Sequence, residues 1–367
     1  MQESLSTAIT KVIGRDVDII KVTTQKEPFK FVKYGRKKFF KHVVKYKDKD
    51  KISELVIIEK QLPVKDVSML FTQDNNYREL RFLESDLRKA FERFFVIPVI
   101  STCNEKKQIF MSECVQDLKS FGPPILPSID QMKGLITRLA IKDARMQNMN
   151  FEYAQNYLST FDIIKRMFNR QLSEEEINLI TTDWPWFLPG SAKLINHIGN
   201  SRYEKWRKIY ESTEIEKVFQ GVPFTLHHGD FYFANIGFND IGKPLVIDWE
   251  CLTRGPIGLD FVSLTNGIPP LAFTDKYEEW YISAYNNACD QELTMQDFLH
   301  ITDLVKKYYF LVADTIDAIR FSFQNEGHFK LSEQNVRIDN YINRLDLYLK
   351  TSKTKVRNLS TESSFEI

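Results

Sequence analysis

Residues 226–260 read LHHGDFYFANIGFNDIGKPLVIDWECLTRGPIGLD, and this stretch decides how the rest of the sequence is interpreted. Asp230 is followed five residues later by Asn235, and an apolar run at 245–247 ends at Asp248. Magnesium-dependent phosphoryl transfer needs such residues, because one carboxylate orients an attacking hydroxyl while an amide oxygen and a second carboxylate coordinate the metal. The turn between the two parts predicts a short hairpin that brings them face to face.

Two motifs in this stretch resemble those of the aminoglycoside phosphotransferase and choline kinase-like family. HGDFYFAN, 228–235, is similar to the family pattern HGDxxxxN, and VIDWE, 246–250, is similar to its IDW or IDF strand. The separation of 18 residues between Asp230 and Asp248 also fits, as does the continuation to Asp260. The resemblance implies a bilobal protein-kinase-like fold of the α+β class. A small β-rich N-lobe with an antiparallel sheet would precede a larger, mainly helical C-lobe.

Carried over position by position, the resemblance implies a role for each polar residue of the two motifs. Asp230 is similar to the catalytic base, and His228 is similar to the histidine that braces the catalytic loop by hydrogen bonding. Asn235 and Asp248 are similar to the metal ligands, with Asp248 the principal ligand of Mg²⁺. Glu250 either touches a second metal or the substrate, or is an exposed acid at the end of a strand.

A lysine and a glutamate upstream fit the nucleotide-binding part of the same fold. The strand predicted at 54–62 places Lys60 after an apolar run, where a lysine holds the α- and β-phosphates of a nucleotide. Its acidic partner on the following helix is Glu79, and Glu84 is the second candidate. The alternative for each of these side chains is an ordinary solvated position.

The adenine of a nucleotide is expected at a hinge between the lobes, within 114–118. Backbone groups of the hinge would meet the adenine edge, and apolar side chains such as Val115 would sandwich the base. We assign Val115 and Asp117 to the nucleotide site. No GxGxxG loop occurs, and Gly35 is the only glycine between the first strands, which is a departure from protein kinases.

Two features of the predicted helical lobe are open to more than one interpretation. LAIKDARM, 139–146, occupies the place of the family's LAxLHA pattern with Asp143 in place of the histidine, and we predict a core helix there. Trp184, Trp186 and Phe187 form either a wall of the site, able to hold a cationic acceptor, or ordinary helix-packing core.

Composition and length exclude several classes of protein. The 367 residues include 50 Lys and Arg and 49 Asp and Glu, which gives a formal charge of +1, whereas a dedicated nucleic-acid binder normally has a basic excess. No stretch of about 18 apolar residues is present to span a bilayer. The four cysteines lack CxxC spacing, which argues against a zinc site or a disulfide scaffold. We predict a cytoplasmic monomer or homodimer without nucleic-acid or membrane partners.

The length predicts two lobes, which we place at 1–118 and 119–350, followed by a disordered tail at 351–367. Periodicity and turn residues then predict the elements within each lobe. The predicted elements are helices at 4–13, 77–94, 132–146, 161–168 and 203–219, and strands at 17–24, 29–34, 38–46, 54–62 and 108–115.

Together these features predict a phosphotransferase that uses ATP (or GTP) and Mg²⁺ to phosphorylate a hydroxyl group of a small molecule. The resemblance implies an acceptor similar to an aminoglycoside, choline or a sugar. Two alternatives stay open. One is a nucleotide-binding pseudoenzyme or scaffold. The other is a protein kinase, which the twelve residues from Asp248 to Asp260 disfavour, since they leave little room for a regulated activation loop.

Overall fold

The computed structural model describes residues 2–26, 38–49, 51–62, 77–112, 127–147, 149, 151–152, 154–156, 165–166, 171–212, 214–239, 242–266, 276–289, 292–323, 338–340, 342–343 and 346. Within them, an antiparallel sheet occupies the N-terminal part and helices dominate the C-terminal part, which confirms the predicted α+β class. The predicted hinge at 114–118, the strand at 29–34 and the tail at 351–367 lie outside the described residues. The boundaries of the lobes therefore stay predictions.

Five antiparallel strands form the N-terminal sheet in the order β1-β2-β3-β5-β4. Their bounds are β1 Asp18–Lys26, β2 Lys38–Asp48, β3 Lys51–Gln61, β4 Val99–Cys103 and β5 Gln108–Ser112. Helix α1, Gln2–Ile13, packs against β4 and encloses a small core that includes Ile57 of β3. Because side chains alternate along a strand, Lys60 points to the opposite face of the sheet.

The helix predicted at 77–94 is divided into α2, Arg78–Glu84, and α3, Asp86–Glu92. Ser85 between them has an extended backbone with φ −90° and ψ 161°. Its hydroxyl donates to the backbone oxygen of Phe82 at 2.7 Å. Serine hydroxyls compete with the helix for backbone carbonyl groups, so the prediction of one continuous helix is wrong at this residue.

Helices build most of the described C-terminal part, and α4 packs against α10 while α6 packs against α11. Their bounds are α4 Ile129–Arg145, α5 Glu174–Asp183, α6 Phe187–Ile198, α7 Asn200–Ser212, α8 Ile215–Val218, α9 Leu259–Asn266, α10 Tyr277–Asn286 and α11 Met295–Phe323. A capping box starts α4, because Ser128 Oγ accepts from Gln131 N at 3.2 Å and Gln131 Oε1 accepts from Ser128 N at 2.8 Å. No helix in the described ranges is long and apolar enough to cross a membrane.

Short strands carry the motif segment between these helices. They are β6 Gln155–Asn156, β7 Phe224–His227, β8 Ile236–Phe238, β9 Pro244–Val246 and β10 Thr253–Pro256. Strand β10 pairs with β6 and β7, and β8 pairs with β9 as the predicted hairpin. Val96 N donates to Pro244 O at 2.7 Å and Val246 N donates to Val96 O at 2.9 Å. The hairpin is thereby fixed to the segment after α3, and one apolar core runs through both parts.

Candidate active site

We call residues 228–235 the catalytic loop after their predicted role; this loop connects β7 to β8 and brings Asp230 against Asn235. The side-chain amide of Asn235 donates to the backbone oxygen of Asp230 at 2.9 Å and to its carboxylate at 3.0 Å. The backbone oxygen of Asn235 accepts from Ile247 N at 3.1 Å, which joins the loop to the end of β9. Because the amide nitrogen of Asn235 faces Asp230, its side-chain oxygen is the atom left to coordinate a cation.

His228 braces this loop as an uncharged ring. Its Nε2 lies 2.9 Å from the backbone oxygen of Ile247, and its Nδ1 lies 3.3 Å from the backbone nitrogen of Asp230. The second contact needs a lone pair on Nδ1, so the proton is on Nε2, which donates to Ile247. Burial lowers the pKa of His228 and so favours the neutral ring. Both ring nitrogens are thus engaged in holding the backbone beside Asp230.

Lys60 on β3 joins two carboxylates that come from different parts of the chain. Its Nζ lies 2.5 Å from Oε2 of Glu79 on α2 and 2.5 Å from Oδ1 of Asp248 after β9. Lys60 is only 2% exposed and Glu79 only 3%, so both charges are removed from water and need partners. The structure therefore places the two predicted nucleotide residues side by side and adds Asp248 to them.

Three acidic side chains converge at this point. Glu79, Asp248 and Glu250 each offer a carboxylate oxygen, and these oxygens lie within 4.8 Å of one another. Burial raises the pKa of Glu79; the Lys60 ammonium group opposes the rise, and the carboxylates of Asp248 and Glu250 add to it. Such a group of oxygens fits a hard divalent cation such as Mg²⁺, which would offset the repulsion. Glu250 thus faces the other two acids, which favours the first of its two interpretations.

Aromatic packing fixes the turn that carries Asp248. The ring of Trp249 stacks on Phe82 with centroids 4.6 Å apart and meets His228 edge to face at 4.7 Å. Its backbone N–H donates to Oε1 of Glu79 at 3.1 Å. Asp248 itself has a left-handed backbone with φ 65° and ψ 60°, an uncommon conformation for a residue with a side chain. The surrounding contacts hold the carboxylate of Asp248 toward Lys60 in spite of that conformation.

Gly229 and Asp260 fix the beginning of the catalytic loop. Asp260, on α9, accepts from the backbone N–H groups of His228 at 3.0 Å and of Gly229 at 3.1 Å. Gly229 has φ 82°, and a Cβ atom there would lie 2.0 Å from the backbone oxygen of Cys251. Glycine is the residue that satisfies both conditions, so the loop packs directly on the turn after Asp248.

Tyr232 is a residue of the catalytic loop that the motif comparison did not single out. It lies between Asp230 and Asn235 and is 42% exposed. Burial raises the pKa of its hydroxyl, and the carboxylates of Asp230 and Asp248 raise it further, which places the hydroxyl near the acidic groups. The motif leaves this position variable and its neighbours Phe231 and Phe233 are also aromatic, so the sequence does not distinguish Tyr232 from them.

The remaining predicted residues do not all reach the site. Glu84, the second candidate to pair with Lys60, instead accepts hydrogen bonds from Thr102 Oγ1 at 3.1 Å and Asn104 Nδ2 at 3.2 Å at an exposed position. Val115 and Asp117 lie outside the described residues, so their assignment to the nucleotide site stays a prediction.

The aromatic residues at 184–187 pack together. Trp184 and Trp186 stack with centroids 5.3 Å apart, and Phe187 lies 6.0 Å from Trp186. Trp186 and Phe187 are buried in the main core, whereas Trp184 is half-buried at its edge. This placement favours helix packing over a cage for a cationic acceptor.

Comparisons with solved structures return small-molecule kinases. The crystal structure of a choline kinase from Streptococcus pneumoniae is 13% identical, covers 95% of this chain and 99% of its own, and has a TM-score of 0.48. An ethanolamine kinase from Plasmodium vivax is 12% identical, with coverages of 89% and 81% and a TM-score of 0.46. A spectinomycin phosphotransferase solved with ADP and spectinomycin is 12% identical, with coverages of 94% and 98% and a TM-score of 0.46.

A comparison of sequences locates the similarity within the chain. No curated protein sequence matches it. The model of the phosphotransferase enzyme family matches residues 182–291, which include the catalytic loop, the hairpin and Asp260. This match confirms the resemblance to the phosphotransferase enzyme family over the segment that holds the catalytic loop and Asp248, but it does not reach Lys60 and Glu79.

Proposed function

We propose that this protein is a small-molecule kinase, which transfers the γ-phosphoryl group of ATP or GTP to a hydroxyl group of its acceptor in the presence of Mg²⁺. One observation carries the proposal. The buried Lys60 ammonium group lies between Glu79 and Asp248, while the catalytic loop holds Asp230 against Asn235. A phosphate-binding cation, metal-binding oxygens and a carboxylate for the acceptor are the parts that phosphoryl transfer requires.

The chain's own residues divide the work of the reaction. Lys60 attracts the α- and β-phosphates, and Glu79 keeps the lysine in place. Asp230 orients the acceptor hydroxyl toward the γ-phosphorus. As the new oxygen–phosphorus bond forms, the bond from phosphorus to the leaving diphosphate oxygen breaks, and the hydroxyl proton passes to Asp230 late in the step.

The oxygen ligands supplied by the two motifs fit Mg²⁺. The carboxylate oxygens of Asp248 and Glu250 lie within 4.8 Å of each other. They and the amide oxygen of Asn235 are hard oxygen ligands of the kind that this ion prefers. A bound Mg²⁺ would neutralise negative charge on the nucleotide phosphates. Both carboxylate oxygens of Glu79 are engaged, one with Lys60 and the other with the backbone N–H of Trp249, so we assign Glu79 to positioning the lysine.

The proposal is tested by measuring ADP or GDP release with magnesium nucleotide over a panel of hydroxyl-bearing compounds. The panel includes aminoglycosides, choline, ethanolamine, amino alcohols and sugars, together with generic protein substrates. Acceptor-dependent release with one class of small molecules, lost in Asp230→Asn and on chelation of the metal, supports the proposal. Nucleotide binding without any turnover would instead favour the pseudoenzyme, and transfer to proteins alone would favour a protein kinase.

A further inference from the structure

A lysine is buried directly beneath the catalytic loop. Lys142, on α4, has an exposed fraction of 0%. Its Nζ lies 2.9 Å from the backbone oxygen of Leu226 and 3.2 Å from Nδ1 of His227, the last two residues of β7. It also lies 2.9 Å from Oδ2 of Asp260 and 2.8 Å from Oδ1 of Asp143. Three oxygen acceptors and one ring nitrogen thus surround a group that has three N–H donors.

The two carboxylates around this lysine extend in different directions. Asp143 accepts from the backbone N–H of Gly258 at 3.0 Å and from the hydroxyl of Tyr281 on α10. Asp260 accepts from the backbone N–H groups of His228 and Gly229, the first two residues of the catalytic loop. The ammonium group of Lys142 therefore lies between the helical scaffold and the loop that contains Asp230.

The charge state of Asp260 depends on this lysine. Burial opposes ionisation of Asp260, but the Lys142 ammonium group and His227 hold its pKa well below the ordinary value. An ionised Asp260 is an acceptor for two backbone N–H groups at once, whereas a protonated carboxyl would donate from one of its oxygens. Lys142 thus maintains the form of Asp260 that the loop needs.

We propose that Lys142 is a positioning residue for phosphoryl transfer: it fixes the ionised carboxylate of Asp260 under the catalytic loop and so sets the position of Asp230. The inference rests on the proposed function and deepens it, since Lys142 reaches no reacting atom itself. Displacement of a catalytic group by about 1 Å is enough to slow a reaction about a hundredfold. Lys60 lies on β3 and its partner Glu79 on α2, outside the elements that carry Lys142 and Asp260, so we expect nucleotide binding to change less than turnover.

The test uses Lys142→Met in the full chain, with Lys133→Met as the matched control because Lys133 is an exposed lysine on the same helix. We expect kcat to fall about tenfold to a hundredfold with the KM for nucleotide within about twofold of the original. The control keeps both values. Hydrogen exchange should accelerate about tenfold or more in peptides covering 226–235 and stay unchanged in peptides covering 55–60.

A second variant separates the effect of Lys142 on the position of the catalytic loop from its effect on the stability of the fold. Lys142→Met leaves Asp143 and Asp260 buried without a cation, so it lowers the melting temperature. Lys142→Met combined with Asp143→Asn removes one uncompensated charge, and we expect the melting temperature to recover in part while kcat stays low. Recovery of kcat together with stability would overturn the proposal, as would an unchanged kcat in the single variant. Loss of folded protein in both variants overturns it too, because the lysine would then be required for the fold alone.

The exchange measurement distinguishes failure of the positioning role of Lys142 from failure of the proposed kinase function. It needs no turnover, so it can be made even if no acceptor is phosphorylated and the proposed function fails. Unchanged exchange in 226–235 refutes the positioning role whatever the activity of the original protein. Faster exchange in this segment, with a reduced kcat and an unchanged KM for nucleotide, supports it.

Discussion

The ammonium group of Lys60 lies 2.5 Å from a carboxylate oxygen of Asp248, although the two residues are 188 positions apart in the sequence. This contact joins the N-terminal sheet to the turn that follows the β8–β9 hairpin. Glu79 completes the group from α2 and also accepts from the backbone of Trp249. The residues predicted to bind the nucleotide and those predicted to bind the metal are therefore one connected unit.

Replacement of Lys60 tests this unit. We expect Lys60→Met to lower nucleotide affinity by about tenfold or more, since the phosphates lose their cation. It should also lower the free energy of unfolding by about 3 kcal/mol, because Glu79 stays buried without its partner. Calorimetric titration and urea unfolding measure the two effects. Lys51→Met, at an exposed position of the same strand, is the control, and equal nucleotide affinities for both variants would refute the role of Lys60.

Asp230→Asn separates chemistry from binding. The side chain keeps its size and an oxygen that can accept from Asn235, but it cannot take the proton of an acceptor hydroxyl. Turnover should fall by about a hundredfold to ten-thousandfold while nucleotide affinity changes little. Steady-state kinetics and nucleotide titration give the two values. Turnover close to that of the original protein would show that Asp230 is not the base.

Asp248→Ala tests the metal site. We expect the gain in nucleotide affinity caused by Mg²⁺ to fall about tenfold to a hundredfold, since a principal ligand is lost. Glu250→Ala should have a smaller effect, and Glu54→Ala, at a half-exposed position of β3, should have none. Titrations with and without magnesium provide the comparison. If Asp248→Ala retains the full magnesium effect, the metal is bound elsewhere.

Asp260→Asn should lower the free energy of unfolding more at neutral pH than at acidic pH. The folded-state pKa of Asp260 lies well below the ordinary value of 3.8, so its ionised form stabilises the fold at every pH above 3.8, and this contribution is lost progressively as the pH falls below it. The variant should lose about 3 kcal/mol at neutral pH, and the difference should narrow below about pH 4. Urea unfolding across this pH range measures the difference. Asp303→Asn, at an exposed position, should show no such convergence, and a constant deficit for Asp260→Asn would contradict the expectation.

Replacement by alanine should have opposite effects at Gly229 and Gly134. Gly229→Ala places a methyl group 2.0 Å from the Cys251 carbonyl at a φ of 82°, so it should displace the catalytic loop and abolish most activity. Gly134→Ala lies inside α4 with open space around the new atom, and it should stabilise the protein by about 0.5–1 kcal/mol. Thermal unfolding and turnover of both variants test this. An active, stable Gly229→Ala protein would mean that the loop tolerates a shift away from Cys251.

The sequence predicts those parts of the site in which residue type and local spacing carry the chemistry. The spacing from Asp230 to Asn235 and the apolar run before Asp248 are local features, so they identify the loop and the hairpin. Lys60 and Glu79 are also recognisable, because a lysine at the end of an apolar strand and an acid on the next helix are both local patterns.

Features that depend on tertiary contacts are harder to predict. Strand β10 contains arginine, glycine and proline, and it forms because β7 and β6 offer it partners. In the sequence, Lys142 and Asp143 resemble ordinary charged residues of a helix. Both are buried because Lys142 forms ion pairs with Asp143 and with Asp260 of α9, and the second pair is a tertiary contact. The break at Ser85 coincides with a contact between its hydroxyl and the Phe82 carbonyl, which periodicity does not reveal.

At Asp248, the residue that best suits the left-handed backbone conformation differs from the residue that the proposed chemistry needs. Glycine adopts this conformation without steric cost, whereas other residues pay about 1–2 kcal/mol for it. A chain selected only to fold would therefore favour glycine here, but glycine has no carboxylate to meet Lys60. Replacement of Asp248 by glycine is consequently expected to stabilise the backbone of this turn and to abolish activity. Any programme to make this protein more robust should leave Asp248 alone and seek its gains elsewhere in the scaffold.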